Sequence, residues 1–360
     1  MSVQVSYKKQ TLFGIILLLC VFSIVETGSR FYEFFLQDCG VADAQTLSEY
    51  DYFLKRYICY DQQIVAYVHQ PVLTMIPNQH LTTININNEG FRGAEINVSK
   101  TNNDYRIIMI GGSTVFGSGM PNDNLTIPYQ LNKKFGEKYD NVEVINAGIS
   151  SITSFEELYY FKEKLIQLEP DLVIIYDGFN NIHYKITSEP KILDTDKDKL
   201  QLKDFQKYLR SPVVIYRYVL LPIMNYSPTT NTLDVQGQQE IPQLITSLWY
   251  DHMKEFCQIS NEKQIKSIVI IQPTLDQDKK PLSDYEYSIY EKNISNKKIF
   301  EMLIQKSGNL TNCSGVYDFT NVFENTDSGV YVDRVHLNAL GNKIIATNIF
   351  EKILPIVLEN

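Results

Sequence analysis

The chain lacks the marks of several large functional classes. Basic residues are in the minority: 33 Lys and Arg face 42 Asp and Glu, for a formal net charge of −9. Proteins that grip phosphate backbones normally carry the opposite excess, so no nucleic-acid partner is expected. No GxxxxGK[ST] loop is present, which excludes the common nucleotide cradle. No CxxC pair and no Cys/His spacing suits zinc. Repeats and low-complexity tracts are absent. Only one long uncharged apolar run occurs, so a multi-span membrane protein is excluded. Histidine is scarce, with five in 360 residues.

What remains is the composition of a folded globule, 44% apolar and 21% charged. The length suits one large domain or two smaller ones and can bury a full core. The apolar run is TLFGIILLLCVFSIV, residues 11–25, with Lys8 and Lys9 before it and Glu26 after it. It is shorter than the ~20 residues of a comfortable span and suits a signal-peptide core or a short signal anchor. Val25–Ser29 offers a poor set of small residues for cleavage, and Arg30–Phe35 reads as an aromatic membrane-interface segment. An uncleaved single-pass anchor is therefore expected, with a cleaved signal and a buried core helix as the alternatives. The two lysines place the N-terminus in the cytoplasm and the bulk of the chain outside.

Cys39, Cys59, Cys257 and Cys313 lie outside the run that holds Cys20. Sequence distance favours Cys39–Cys59 and Cys257–Cys313, but three pairings, or four free thiols, are compatible with the sequence. Six N-x-S/T sequons, at Asn97, Asn124, Asn225, Asn293, Asn309 and Asn312, suit an exported surface.

Residues 30–104 are mixed, with short β-like pieces at 63–68 and 81–86. From Tyr105 onward, apolar runs of strand length alternate with helical periodicity. Strands are expected at 106–110, 142–145, 171–176, 267–272 and 316–319. Helices are expected near 126–139, 154–168, 241–263, 283–306 and 338–358. This alternation predicts an α/β three-layer sandwich on a five-stranded parallel sheet, preceded by an N-terminal transmembrane helix. The expected division is 1–29 as tail and anchor, 30–104 as an extension, and 105–360 as the main domain, with an insertion near 183–240. The first half of the insertion carries the charge run Asp194–Lys199. Its second half, 213–226, is apolar and aromatic and reads as a lid, a membrane-facing patch or a helix bracing the sheet.

Chemistry in such sheets sits at the carboxyl ends of the strands. The first strand leads into Gly111-Gly112-Ser113, where a sharp turn can expose a hydroxyl and free backbone N–H groups. The second leads into Asn146-Ala147-Gly148, and the third into Asp177-Gly178-Phe179-Asn180-Asn181. After the fifth comes Asp333-Arg334-Val335-His336, in which the Asp can orient the imidazole three residues on. Each motif alone is also an ordinary turn. Together, and in order, they supply a nucleophile, a base, its orienting acid and oxyanion donors. The other four His residues read as surface or core.

These blocks resemble those of the SGNH (GDSL-type) serine hydrolase superfamily, in its membrane-anchored extracytoplasmic form. Gly111-Gly112-Ser113 is similar to the first block, with Gly in place of Asp. Gly148 is similar to the second, and Asn180 to the third, with Asn181 where Asp is usual. Asp333 and His336 match the fourth. Asn88-Glu-Gly-Phe-Arg-Gly93 is similar to a segment that precedes the Ser block in many anchored members. The resemblance implies a flavodoxin-like fold and a triad of Ser113, His336 and Asp333. It implies an oxyanion hole from the Ser113 and Gly148 N–H groups and the Asn180 side chain, with no metal or organic cofactor. The implied activity is hydrolysis of an acyl ester, on a surface glycan or a lipid. An O-acyltransferase using the same triad and a non-catalytic surface protein on the same fold are the alternatives.

Overall fold

The structure, a computed structural model, describes residues 6–358 apart from 38, 70–71, 102, 184–208, 221–234 and 291–293. Most of the expected insertion, including its charge run, and the sequons at Asn225 and Asn293 therefore lie outside the described residues. The chain divides into two units, Met1–Cys39 with Thr195–Asn231, and Gly40–Asp194 with Thr232–Asn360.

The first unit holds helix α1 (Tyr7–Phe31), which runs on through a π-helical turn at Tyr32–Leu36. The helix extends past both ends of the apolar run. Its 25 residues span about 37 Å at 1.5 Å each, enough to cross a hydrocarbon core. Its apolar side chains from Leu12 to Val25 face outward. Against it packs a short helix, Ser211–Ile215, continued by a π turn at Tyr216–Leu220. This is the described part of the insertion's apolar half.

The second unit opens with α2 (Gly40–Asp43) and α3 (Tyr52–Ile64). Two small antiparallel ladders follow, β1 (Tyr67–His69) with β2 (Leu73–Met75), and β3 (Gln79–His80) with β4 (Asn85–Ile86). Gln63 and Ile64, expected in a β-like piece, instead finish α3, which Asp51 caps by accepting from the Leu54 N–H.

The main sheet is parallel throughout, in the order β6 (Val142–Gly148), β5 (Tyr105–Gly111), β7 (Leu172–Asp177), β8 (Lys266–Ile271), β9 (Gly315–Asp318). Its central strands are continuous β-branched and apolar runs because both faces are covered. The two-residue side-chain period divides them cleanly. Ile108, Ile110, Val173, Ile175, Val269 and Ile271 face one core, while Ile107, Met109, Leu172, Ile174, Ile268 and Ile270 face the other. The first core is closed by α6 (Ser154–Glu163), α7 (Val235–Glu262) and α9 (Ile294–Ser307), through Phe161, Trp249, Phe256 and Phe300. The second is closed by α5 (Ile127–Gly136) and α10 (Ala339–Leu358), through Leu131, Phe135, Ile349 and Ile353.

The helix expected near 283–306 is two, α8 (Asp284–Ile289) and α9. The one expected near 154–168 ends at Glu163 and gives way to a 3-10 turn at Leu165–Leu168. Cys257 on α7 is bridged to Cys313 just before β9. Cys39 and Cys59 are also oxidised, and Cys20 is a free thiol. Asn97, Asn124, Asn309 and Asn312 are exposed.

Candidate active site

β5 ends at Gly111, and Gly112 caps the one-turn helix α4 (Ser113–Phe116). Glycine is required here by close approach. A Cβ on Gly112 would strike the Asn180 side-chain amide, and one on Gly148 would strike the Phe116 backbone nitrogen. Two glycines thus let the ends of β6 and β7 close around the turn that carries Ser113. The Ser113 N–H is the first of its helix and has no intrahelical acceptor.

The fourth expected block lies on a tight loop. Tyr331 and Leu337 form an antiparallel bridge, and the Val332 N–H donates to the His336 carbonyl at 2.8 Å. Asp333 Oδ1 accepts from the Val335 and His336 N–H groups at 2.9 and 2.8 Å, while its Oδ2 lies 2.6 Å from His336 Nδ1. The three-residue spacing is thereby explained, since one carboxylate both closes the loop and holds the ring. On the other side of the ring, Nε2 lies 2.7 Å from Ser113 Oγ, across 223 positions of sequence.

The electrostatics follow from this geometry. Burial works against the charge on Asp333, but the neighbouring imidazole and the hydrogen bonds from His336 and Val335 outweigh it and hold the carboxyl at about 2. Burial also works against a charged His336, and Asp333 reverses that, so the imidazole titrates above its ordinary value of 6.5.

The expected oxyanion donors are not all free. Asn180 Nδ2 donates one hydrogen to the Ile152 carbonyl at 2.8 Å, and the same amide packs closely against Gly112. The Gly148 N–H donates to Asn146 Oδ1 at 3.0 Å, a commitment that the motif alone did not reveal. Asn181 is a strut. Its Oδ1 accepts from the Ser154 N–H and hydroxyl at 3.1 and 2.8 Å, and its Nδ2 donates to Asp177 Oδ2 at 2.5 Å. Burial raises the Asp177 carboxyl to about 6, although Gly178, Asn181 and Trp249 donate to it.

Several supporting residues escaped the sequence. Glu286 is fully buried against Lys280, with Nζ to Oε2 at 2.5 Å. Its other oxygen accepts from the Val330 and Tyr331 N–H groups at 2.9 and 3.1 Å, pinning the base of the Asp333–His336 loop. Tyr285 donates to the Val332 carbonyl, and Thr46 to the Tyr331 carbonyl. The capping box Ser283-x-x-Glu286 was a visible signal for Glu286, but it predicts only a helix start. The similar lead-in segment also finds a place. Arg92 is buried, pairs with Asp123 at 2.7 Å, and donates to the carbonyls of Phe116, Gly117 and Thr83. It clamps the far end of α4. Of the remaining His residues, His252 meets Ser154 Oγ at 2.9 Å and His80 pairs with Asn85. Only the backbone of His69 and His183 is described.

No protein family and no curated protein matches the chain by sequence. Solved structures do match it. An acetyl xylan esterase, AlAXEase, is 15% identical over 69% of this chain and 99% of its own, with a TM-score of 0.41. A putative lipolytic protein of the G-D-S-L family from Desulfitobacterium hafniense DCB-2 is 13% identical over 69% and 99%, with a TM-score of 0.41. A lipase/acylhydrolase from Enterococcus faecalis is 15% identical over 69% and 95%, with a TM-score of 0.41.

Proposed function

We propose that the protein is a membrane-anchored serine esterase that cleaves an acyl ester. The observation that carries this reading is the continuous contact from Asp333 Oδ2 through the His336 ring to Ser113 Oγ, at 2.6 and 2.7 Å. A carboxylate on Nδ1 leaves Nε2 as the basic nitrogen, aimed at the hydroxyl it must deprotonate. Ser113 Oγ attacks the ester carbonyl while its proton passes to His336 Nε2. The imidazolium, stabilised by Asp333, then returns that proton to the departing alcohol. A water, activated by the same nitrogen, releases the acid and frees Ser113.

The tetrahedral oxyanion is held by the Ser113 N–H and the free hydrogen of Asn180 Nδ2. Gly148 joins them when its N–H leaves Asn146. The substrate is an ester on a glycan or a lipid at the outer face of a membrane, with α1 as the anchor and Lys8 and Lys9 on the cytoplasmic side. Transfer of the acyl group to a glycan hydroxyl uses the same steps with a different acceptor.

Labelling of the detergent-solubilised full chain with a fluorophosphonate tests this proposal. Labelling of the wild type that vanishes in a folded Ser113→Ala variant supports it. An unlabelled, folded wild type overturns it. Product analysis with and without an acceptor glycan separates hydrolysis from transfer.

A further inference from the structure

The residues around the end of α1 away from Lys8 and Lys9 form a docking joint. Glu33 and Arg210 are both buried, with side chains 0% and 2% exposed. They pair through two contacts, Nε to Oε2 at 2.7 Å and Nη2 to Oε1 at 2.6 Å. About two turns earlier, Glu26 accepts from Arg30 Nε at 2.8 Å and from the backbone N–H groups of Arg210 and Ser211. Its carboxylate thereby satisfies the start of the 211–220 helix. Tyr32 and Tyr218 meet edge to face, with ring centres 5.1 Å apart.

Beyond this joint the 211–220 helix turns apolar surface outward. Val213 is buried, but Ile215, Tyr218, Val219 and Leu220 are exposed. Phe31, Phe35 and Leu36 are exposed beside them and continue the bare apolar surface of α1. An apolar collar of this kind, with Tyr at its polar margin, needs an apolar partner. The carboxylates of Glu26 and Glu33 are matched internally, as a low-dielectric setting demands and water does not.

We infer that the 211–220 helix is a second membrane-contacting segment, seated in the interfacial layer of the bilayer and locked to the anchor by the Glu33–Arg210 pair. This inference rests on the reading of α1 as an anchor. The insertion then reaches back to the lipid that α1 enters, giving the protein two attachments to one leaflet. Lipid, rather than a second protein, is the expected occupant because the collar is continuous with the outward apolar face of the spanning helix.

The test uses the full chain in nanodiscs, in a Cys20→Ser background, with an environment-sensitive fluorophore at single introduced cysteines. Val219→Cys probes the inferred segment, Leu17→Cys the anchor, and Lys254→Cys, at an exposed position of α7, serves as the water reference. Lipids brominated near the headgroup should quench the probe at 219, and lipids brominated near the chain ends should quench the one at 17. Quenching at 17 with a 219 signal equal to that at 254 overturns the inference and leaves the anchor standing. Quenching at neither position overturns both. Glu33→Arg should abolish quenching at 219, and adding Arg210→Glu should restore it, both read on chains that retain the wild-type unfolding transition. Undiminished quenching in Glu33→Arg overturns the locking role.

Discussion

Asp333→Asn separates the two roles that one carboxylate performs. In the wild type, Oδ1 closes the loop by accepting from Val335 and His336, and Oδ2 accepts from His336 Nδ1. Asparagine keeps the first role, because its carbonyl oxygen can take the place of Oδ1. Its amide then faces Nδ1 with a donor. The imidazole must turn that nitrogen into an acceptor, which moves its proton to Nε2. Nε2 lies 2.7 Å from Ser113 Oγ and can no longer take the hydroxyl proton. A base in the wrong tautomer, together with loss of the charge that stabilises the imidazolium, costs about 10⁴ in turnover, or about 5.4 kcal/mol of barrier.

The pH dependence adds a second readout. The proposed mechanism requires neutral His336, whose titration lies above 6.5, so wild-type kcat/KM should rise along an acid limb centred above 6.5. The limb should shift to lower pH in Asp333→Asn, because burial still opposes the charge while the attraction that raised it is gone. Stability moves with the same groups. The raised imidazole contributes fully below 6.5, and that contribution is lost as pH rises through its folded value. The depressed carboxyl contributes above 3.8, and its contribution is lost as pH falls toward about 2. The deficit of the variant should therefore be largest between pH 3.8 and 6.5. Hydrolysis of a p-nitrophenyl ester, with thermal unfolding across pH, measures both. A folded Asp333→Asn variant within about tenfold of wild-type turnover, or an unmoved acid limb, would refute the assigned roles.

Asn180→Ala should lower kcat about 10²–10³-fold with the fold retained, since it removes a proposed oxyanion donor; steady-state kinetics decide this. Glu157 is fully buried and both its carboxylate oxygens lack a partner, so burial and the nearby Asp177 charge hold it well above its ordinary range. Glu157→Met should stabilise the fold by about 1–3 kcal/mol at pH 7 and weaken the loss of stability on raising pH above 4.5, as seen in urea titrations. Replacing Cys257 and Cys313 by Ala opens a link across 56 residues and should cost about 4 kcal/mol, measured as a lowered urea midpoint.

The sheet was legible because its central strands are unbroken apolar runs bounded by turns, a pattern that few other local structures share. The four strand-end motifs were legible for a related reason. Parallel topology sends successive strand ends to one edge, so residues far apart in sequence are brought together there. What stayed hidden depends on long-range pairing. Nothing near Glu286 announces that its carboxylate supports a loop 44 positions away. Nothing in Asn146-Ala147-Gly148 shows that the Asn turns back onto the Gly N–H. The break between α8 and α9 was missed because apolar spacing carries across it, and Gln63 and Ile64 were misread because the Asp51 cap governs a helix that reaches them.

Arg92 bears on where an autonomous catalytic piece can begin. Its side chain leaves the lead-in segment to join the two carbonyls that end α4 with Asp123 and Thr83. A fragment trimmed to the first strand of the main sheet would strand Asp123 without its cation and leave the Phe116 and Gly117 carbonyls short of a donor. The stretch ahead of β5 therefore helps to mount Ser113, and swapping or shortening it is an alteration of the proposed active site by other means.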